Sequence, residues 1–315
     1  MAVLPELSPA VSEALAAGRP VVALESTIIS HGLPRPDNFE AARSFEALLA
    51  GAGVTPATIA VVDGVPKAGL SDADLERIAL DDSVIKVSSR DLALAVAGKR
   101  TAGTTVAATS ALAARAGIRV FATGGLGGVH RGFADSLDES ADLTALSRTR
   151  VTVISAGVKS ILDIPATLER LETLGVAVVG YRTNRFPAFY LTDSGQDLDW
   201  RLDSPEEIAA VMAARDRLGD ASALLVANPL PPARQLDPAT HDRVLAEALA
   251  AAEAEGIRGK AVTPYLLSHM QRATQGASVA VNLDVARGNI TLAGQIATAW
   301  AQLATATGDR GKLSL

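Results

Sequence analysis

Glu25 stands directly after the apolar run Val21-Val22-Ala23-Leu24. A carboxyl group there is partly desolvated, which raises its pKa and suits general-acid work; the alternative is a loop or cap acid paired with an arginine. Lys159 lies in VTVISAGVKSILD, after an apolar run and at an expected helix start. Burial and the positive end of a helix dipole both disfavour an ammonium there, which frees the amine as a nucleophile. The alternative is a snorkelling surface lysine. Lys86, in VIKVSS, is a similar case, and anion binding suits it as well as nucleophilic attack.

Gly124-Gly125-Leu126-Gly127-Gly128 follows Thr123. Such a run lets backbone amides cradle an anion, or it makes a tight turn for packing. It lacks the Gly-Lys-Ser/Thr of a P-loop and the glycine spacing of a dinucleotide site. Asp135, Asp138, Glu139 and Asp142 crowd the stretch after His130-Arg131. They read either as a site for Mg²⁺ or Mn²⁺, held by one or two carboxylates plus waters, or as a solvated helix start. His31, His241 and His269 show no ligand spacing; His31 is close enough in sequence to Glu25 to support it.

These groups act together only if the fold brings them together. Apolar β-branched runs alternate with amphipathic Ala/Leu-rich stretches. Strands read as Val21–Leu24, Thr58–Val62, Val84–Val87, Val120–Ala122, Val151–Ser155, Val176–Tyr181 and Ser222–Ala227. Helices read as Ser8–Ala17, a stretch from Asp37, Ser71–Ile78, Arg90–Ala97, Thr104–Ala116, Ser160–Leu174, Pro205–Leu218 and Pro238–Glu255. Ser71 with Asp74 fits a capping pattern, and the chain after Tyr265 reads as wholly helical. Leu191–Leu202 is polar and strand-like, and residues after Gly308 read as a frayed tail. The alternation predicts a three-layer α/β/α fold with a mainly parallel, mixed central sheet and a helical C-terminal region. One catalytic domain over residues 1–315 is expected, since no long linker divides the chain. Ligands of open α/β sheets bind beyond the carboxyl ends of the strands, where Glu25, Lys86, Thr123, His130 and Lys159 all fall.

Composition removes several classes. The chain has 315 residues and no cysteine, which excludes a thiol nucleophile, a disulfide scaffold and a cysteine zinc site. Its 29 Lys+Arg against 35 Asp+Glu, with 3% aromatic residues, argue against a general nucleic-acid binder. No apolar run approaches the about 18 residues needed to span a bilayer. The N-terminus carries Glu6 and Glu13 without a basic segment, unlike a secretory signal, so a cytoplasmic setting is expected.

The segments ALESTIISHGLPRPDN (23–38), VSSRDL (87–92), GTTVAAT (103–109), VFATGGLGGVHRG (120–132), LDESADL (137–143), SAGVKSILD (155–163), VANPLP (226–231) and GNITLAGQIA (288–297) occur in one order. Together they resemble the pseudouridine-5'-phosphate glycosidase family, also called indigoidine synthase A-like. The resemblance runs from Pro9 to Ala304. It implies reversible cleavage of the C–C glycosidic bond of pseudouridine 5'-phosphate to uracil and ribose 5-phosphate, a divalent metal, usually Mn²⁺, and a homotrimer. It assigns Glu25 as proton donor, Lys159 as nucleophile and Asp138 as metal ligand. It assigns substrate contacts to Lys86, Val106, Ser140, Ala141 and Asp142, and to Thr123, His130 and Asn282 on shorter motif matches. Ser89 stands where the family often has a basic residue, and Val158 where it often has alanine.

Three other readings share these residues. A Schiff-base sugar-phosphate aldolase or lyase would use Lys159 without uracil. An N-glycosidase would use Glu25 and Asp138 as a carboxylate pair and leave Lys159 dispensable. A non-catalytic nucleotide-sugar sensor would bind the phosphate ester without turnover.

Overall fold

The computed structural model describes residues 4–306. The tail expected after Gly308 lies outside the described residues. The described residues form eleven strands: β1 (Glu6–Leu7), β2 (Val21–Leu24), β3 (Thr55–Val62), β4 (Val65–Ala68), β5 (Ile85–Val87), β6 (Ala102–Thr104), β7 (Val120–Ala122), β8 (Thr152–Ser155), β9 (Ala177–Tyr181), β10 (Arg201–Leu202) and β11 (Leu224–Ala227). They run in the order β1-β4-β3-β2-β7-β8-β11-β9-β10, with β5 and β6 as a parallel pair attached to β3. From β2 through β7, β8 and β11 to β10 every pairing is parallel.

Alternation along these strands explains the three layers. Val21, Ala23, Phe121, Val153 and Leu225 face one buried cluster, with Leu112 and Leu171 from covering helices. Val22, Leu24, Ala122, Ile154 and Val226 face the other, with Phe45, Met212 and Ile290. A sheet buried on both faces needs apolar residues at every strand position, which is why its strands read as unbroken apolar runs. The 30-residue helix Ala277–Ala306 covers one face of β2, β7 and β8. No helix of the described residues is long and apolar enough to cross a membrane.

Strand β3 changes partners midway. Thr55–Thr58 pairs parallel with β2, while Ile59–Val62 pairs antiparallel with β4, and Ala60–Val61 with β6. At the switch the Ile59 carbonyl accepts the hydroxyls of Ser26 (2.6 Å) and Thr104 (2.7 Å). The Thr104 amide donates back to Ser26 Oγ at 2.8 Å. All three groups are buried, so these bonds replace lost water and fasten the segment after Glu25.

Several local expectations shift. Thr104 ends β6, and the helix begins at Val106 with Thr105 as its cap. The Arg90–Ala97 segment starts as a 3₁₀ turn, Ser89–Asp91, capped reciprocally by Ser88 and Asp91. The expected Ser160–Leu174 helix starts only at Ile164, capped by Asp163. Of Leu191–Leu202 only β10 is a strand, on the sheet edge. Ser71 caps Asp72–Leu80 by accepting from the Asp74 amide, while the Asp74 carboxylate turns to Lys67 at 2.9 Å. Strands β1 (EL), β4 (VPKA) and β6 (AGT) carry no unbroken apolar run, which is why the sequence does not mark them.

Phe121 is fully buried in the central strand β7, whereas Leu94 is 71% exposed. Phe121→Ala is expected to cost about 3–5 kcal/mol in urea unfolding, and Leu94→Ala less than about 0.5 kcal/mol. Equal costs for the two would contradict the placement of the core.

Candidate active site

The register of the parallel strands assembles the site. Leu24 pairs with Ala122 and Ala122 with Ile154, so the residues that follow them leave the sheet side by side. Thr123 Oγ1 donates to Glu25 Oε1 in a short hydrogen bond. Lys159, in the loop after β8, donates from Nζ to the Gly125 carbonyl at 2.7 Å. The helix start expected beside Lys159 is absent, since the next helix begins at Ile164. A backbone carbonyl, not a helix dipole, orients this amine.

Glu25 lines a small apolar recess with Leu24, Ile28, Phe45, Ala122, Ala286 and Ile290. Burial pushes its carboxyl above the ordinary range. Lys159, the Thr123 hydrogen bond and Lys86 pull it down, and Asp142 adds to the rise. Lys86, on β5, lies outside the run of parallel strands yet reaches this group of charges. Although the side chain stays exposed, desolvation of the amine and then the like charge of Lys159 lower its pKa, while Glu25 and Asp142 oppose. His31, also exposed, falls in a π-helical turn, Ile28–Gly32, and partial desolvation with Lys86 and Arg35 lowers its pKa. It thus neighbours Lys86 as well as following Glu25.

The glycine run is a packed turn. A Cβ on Gly125 would lie 2.5 Å from Phe189, and one on Gly127 would lie 2.2 Å from Ser140 Oγ and 2.8 Å from Asp142 Oδ2. The Gly127 amide donates to Asp142 Oδ2 at 2.8 Å, and the Leu126 amide to the Gly157 carbonyl at 3.0 Å. Asp142 Oδ1 accepts from the Ala107 amide at 2.9 Å, at the first turn of Val106–Arg115. The buried Asp142 therefore ties the glycine turn to that helix, whose N-terminal residue is the buried Val106. Ser140 caps the helix of Ala141 and Asp142, accepting from the Asp142 amide at 3.2 Å.

The acidic stretch is divided by the fold. Glu139 is paired with Arg170 at 2.9 and 3.0 Å, and Asp142 is held by two amides. The half-buried Asp138 faces His130, with Oδ2 and Nδ1 4.0 Å apart, and the His130 amide donates to the Asp138 carbonyl at 3.0 Å. No group of three or more metal-ligating side chains occurs among the described residues. The donor set fits a hydrated hard cation anchored on one carboxylate, and does not fit an all-protein cage.

From the helix layer, Asn282 brings a buried Oδ1 that has no hydrogen-bond partner, 3.4 Å from where a Cβ on Gly124 would lie. Two further groups bear on the site without being marked by the sequence roles. Asn289 donates to the carbonyls of Thr123 (2.8 Å) and Gly124 (3.2 Å). His241 is buried and bonds Ser160, the neighbour of Lys159, at 2.8 Å. An asparagine on the apolar stripe of a helix, between Ala286 and Ile290, is the signal that marks Asn289. For His241 only a contact distant in sequence reveals the role. His269 lies beside the Tyr265 ring, with centroids 6.4 Å apart.

Residues 10–299 match the family described as indigoidine synthase A like protein. The chain is 62% identical to the pseudouridine-5'-phosphate glycosidase of Frankia alni over 94% of its length and 82% of the relative's. It is 63% identical to that of Salinispora tropica over 92% of its length and 90% of the relative's. Among solved structures, the prealnumycin C-glycosynthase AlnA in complex with ribulose 5-phosphate superposes with a TM-score of 0.90 at 38% identity, covering 97% of this chain and 100% of that one. An indigoidine synthase A-like protein from Thermotoga maritima gives 0.85 at 36%, covering 94% and 96%. With a match this long and relatives this similar, the chain belongs to the indigoidine synthase A-like family.

Proposed function

We infer that this chain cleaves the C–C glycosidic bond of pseudouridine 5'-phosphate reversibly, giving uracil and ribose 5-phosphate. The observation that carries the reading is the joining of an acid and an amine through one turn: Thr123 on Glu25, Gly125 on Lys159. It stands in a chain 62% identical to a protein of that name. The pentose phosphate held by the 0.90 TM-score neighbour supports the same class of ligand.

The chemistry explains why an amine is needed. The leaving atom is carbon C5 of uracil, which has no lone pair to protonate, so the usual pair of carboxylates is poorly suited. Lys159, in its neutral form, attacks C1' of the ribose while Glu25 gives a proton to the ring oxygen, and the C1'–O bond breaks. The resulting secondary ammonium returns a proton to the Glu25 carboxylate, and the freed nitrogen pair moves toward C1' as the C1'–C5 bond breaks. The pair from that bond stays on C5, which takes a proton and leaves as uracil. The remaining iminium on Lys159 is hydrolysed by water to ribose 5-phosphate. Splitting one hard step into easier ones is the gain of covalent catalysis.

Lys86 is suited to bind the phosphate as a point charge, with the N-terminus of the Val106–Arg115 helix and the amides and hydroxyl near Ser140 and Ala141 beside it. Asn282 supplies a carbonyl acceptor that fits a uracil N–H. Asp138, with His130 beside it, would hold Mn²⁺, which supplies positive charge to order the phosphate or a water network when bound. A homotrimer working in the cytoplasm is part of the same proposal, and mass photometry is expected to find three times the 32.3 kDa chain.

Ribose 5-phosphate, uracil and Mn²⁺ incubated with the protein are expected to yield pseudouridine 5'-phosphate, read by chromatography and mass. Lys159→Ala should abolish the product while leaving circular dichroism unchanged. Asp138→Asn should lose the stimulation by Mn²⁺ that follows chelator treatment of the parent. Full activity of folded Lys159→Ala would refute the amine route and favour the carboxylate pair.

Glu25 also carries a stability signature. Its folded pKa is raised, so the cost of its ionisation is absent below the unfolded value and grows as pH rises through the folded one. Glu25→Gln is expected to be inactive yet to melt higher than the parent near pH 8, with little difference near pH 4. A gain at low pH alone would contradict the raised pKa.

A further inference from the structure

We propose that Asn289, held in place by Asn228, is a positioning residue that fixes the acid and the amine of the site through the turn Thr123–Gly125. The proposal rests on the catalytic reading of Glu25 and Lys159 given above. Asn289 is 1% exposed on the helix Ala277–Ala306. Its Nδ2 donates to the carbonyls of Thr123 at 2.8 Å and Gly124 at 3.2 Å. Its Oδ1 accepts from Asn228 Nδ2 at 2.9 Å, just past the end of β11. The amide can point only one way, because both carbonyls are acceptors and need its N–H groups.

The two carbonyls belong to the turn on which both reacting groups depend. Thr123 supplies the hydroxyl that holds Glu25, and the next carbonyl beyond Gly124 holds Lys159. Pairing of β7 with β2 ends at Ala122. Past that point the Thr123 amide and the Gly124 carbonyl bond to the β8 side, at 3.0 Å each. Asn289 adds the restraint from the helix layer. A buried amide bonded to two carbonyls also adds stability by itself. The positioning role differs in consequence: loosening the turn misplaces both groups, and a displacement of about 1 Å costs on the order of 100-fold in rate.

Two variants test this with the full-length enzyme cleaving pseudouridine 5'-phosphate. Asn289→Leu removes both donors at similar volume. Asn228→Ala leaves Asn289 in place and removes only its orienting donor, which keeps the test open if the first variant does not fold. Folded Asn289→Leu is expected to lower kcat about 10–100-fold with KM within about 2-fold. Asn228→Ala should act in the same direction with a smaller effect. The Glu25 carboxyl faces Lys159, Lys86, Asp142 and the Thr123 hydroxyl. Weakening the last should raise its pKa further and move the alkaline limit of kcat to higher pH. Parental kcat and pH profile in both variants, with Lys159→Ala inactive, would overturn the positioning role alone. Activity lost only in proportion to folded protein, with an unmoved pH profile, would overturn it too and leave Asn289 a structural residue. Retained activity in folded Lys159→Ala would remove the catalytic reading and this proposal with it.

Discussion

The turn after β7 holds two groups of opposite character at once. A threonine hydroxyl on it binds the carboxyl of Glu25, and a carbonyl two residues later binds the amine of Lys159. Backbone is the suitable material for this. A peptide carbonyl in a packed turn cannot titrate or swing away, so it holds the amine in one place. The glycines make the geometry affordable, since a Cβ at Gly125 or Gly127 would collide with Phe189 or Ser140. Neighbouring elements then have one purpose, which is to keep the turn still: β2 and β8 by register, Asp142 from the Ala141–Leu146 helix, and the long C-terminal helix from the opposite face.

The charges around the turn follow from the same packing. Two carboxylates, Glu25 and Asp142, meet two amines, Lys86 and Lys159. They are not equivalent. Asp142 accepts two backbone amides, which fix its carboxyl group between the glycine turn and the Val106–Arg115 helix. Glu25 accepts one side-chain hydroxyl and lines an apolar recess, and burial there raises its pKa.

Much of this was legible in the sequence. Val21–Leu24 and Pro205–Leu218 match the sequence reading residue for residue, because a strand buried on both faces and a capped amphipathic helix announce themselves locally. Strand-end logic located Glu25, Thr123 and Lys159. The helix start expected beside Lys159 is absent, because the loop runs on to Asp163, whose side chain caps the helix that begins at Ile164. The split of the acidic stretch was also invisible, since what occupies Glu139 and Asp142 comes from Arg170, Ala107 and Gly127. Asn289 and His241 act across 166 and 81 residues of chain, a separation that no local pattern records.

The central claim is that Lys159 becomes covalently joined to the sugar. Ribose 5-phosphate and borohydride, added together to the enzyme and followed by digestion and mass spectrometry, test it most directly. A reduced pentose phosphate is expected on Lys159, absent when ribose 5-phosphate is omitted and absent in Lys159→Ala. No adduct on the folded, active enzyme, or an adduct on Lys86 in place of Lys159, would contradict it.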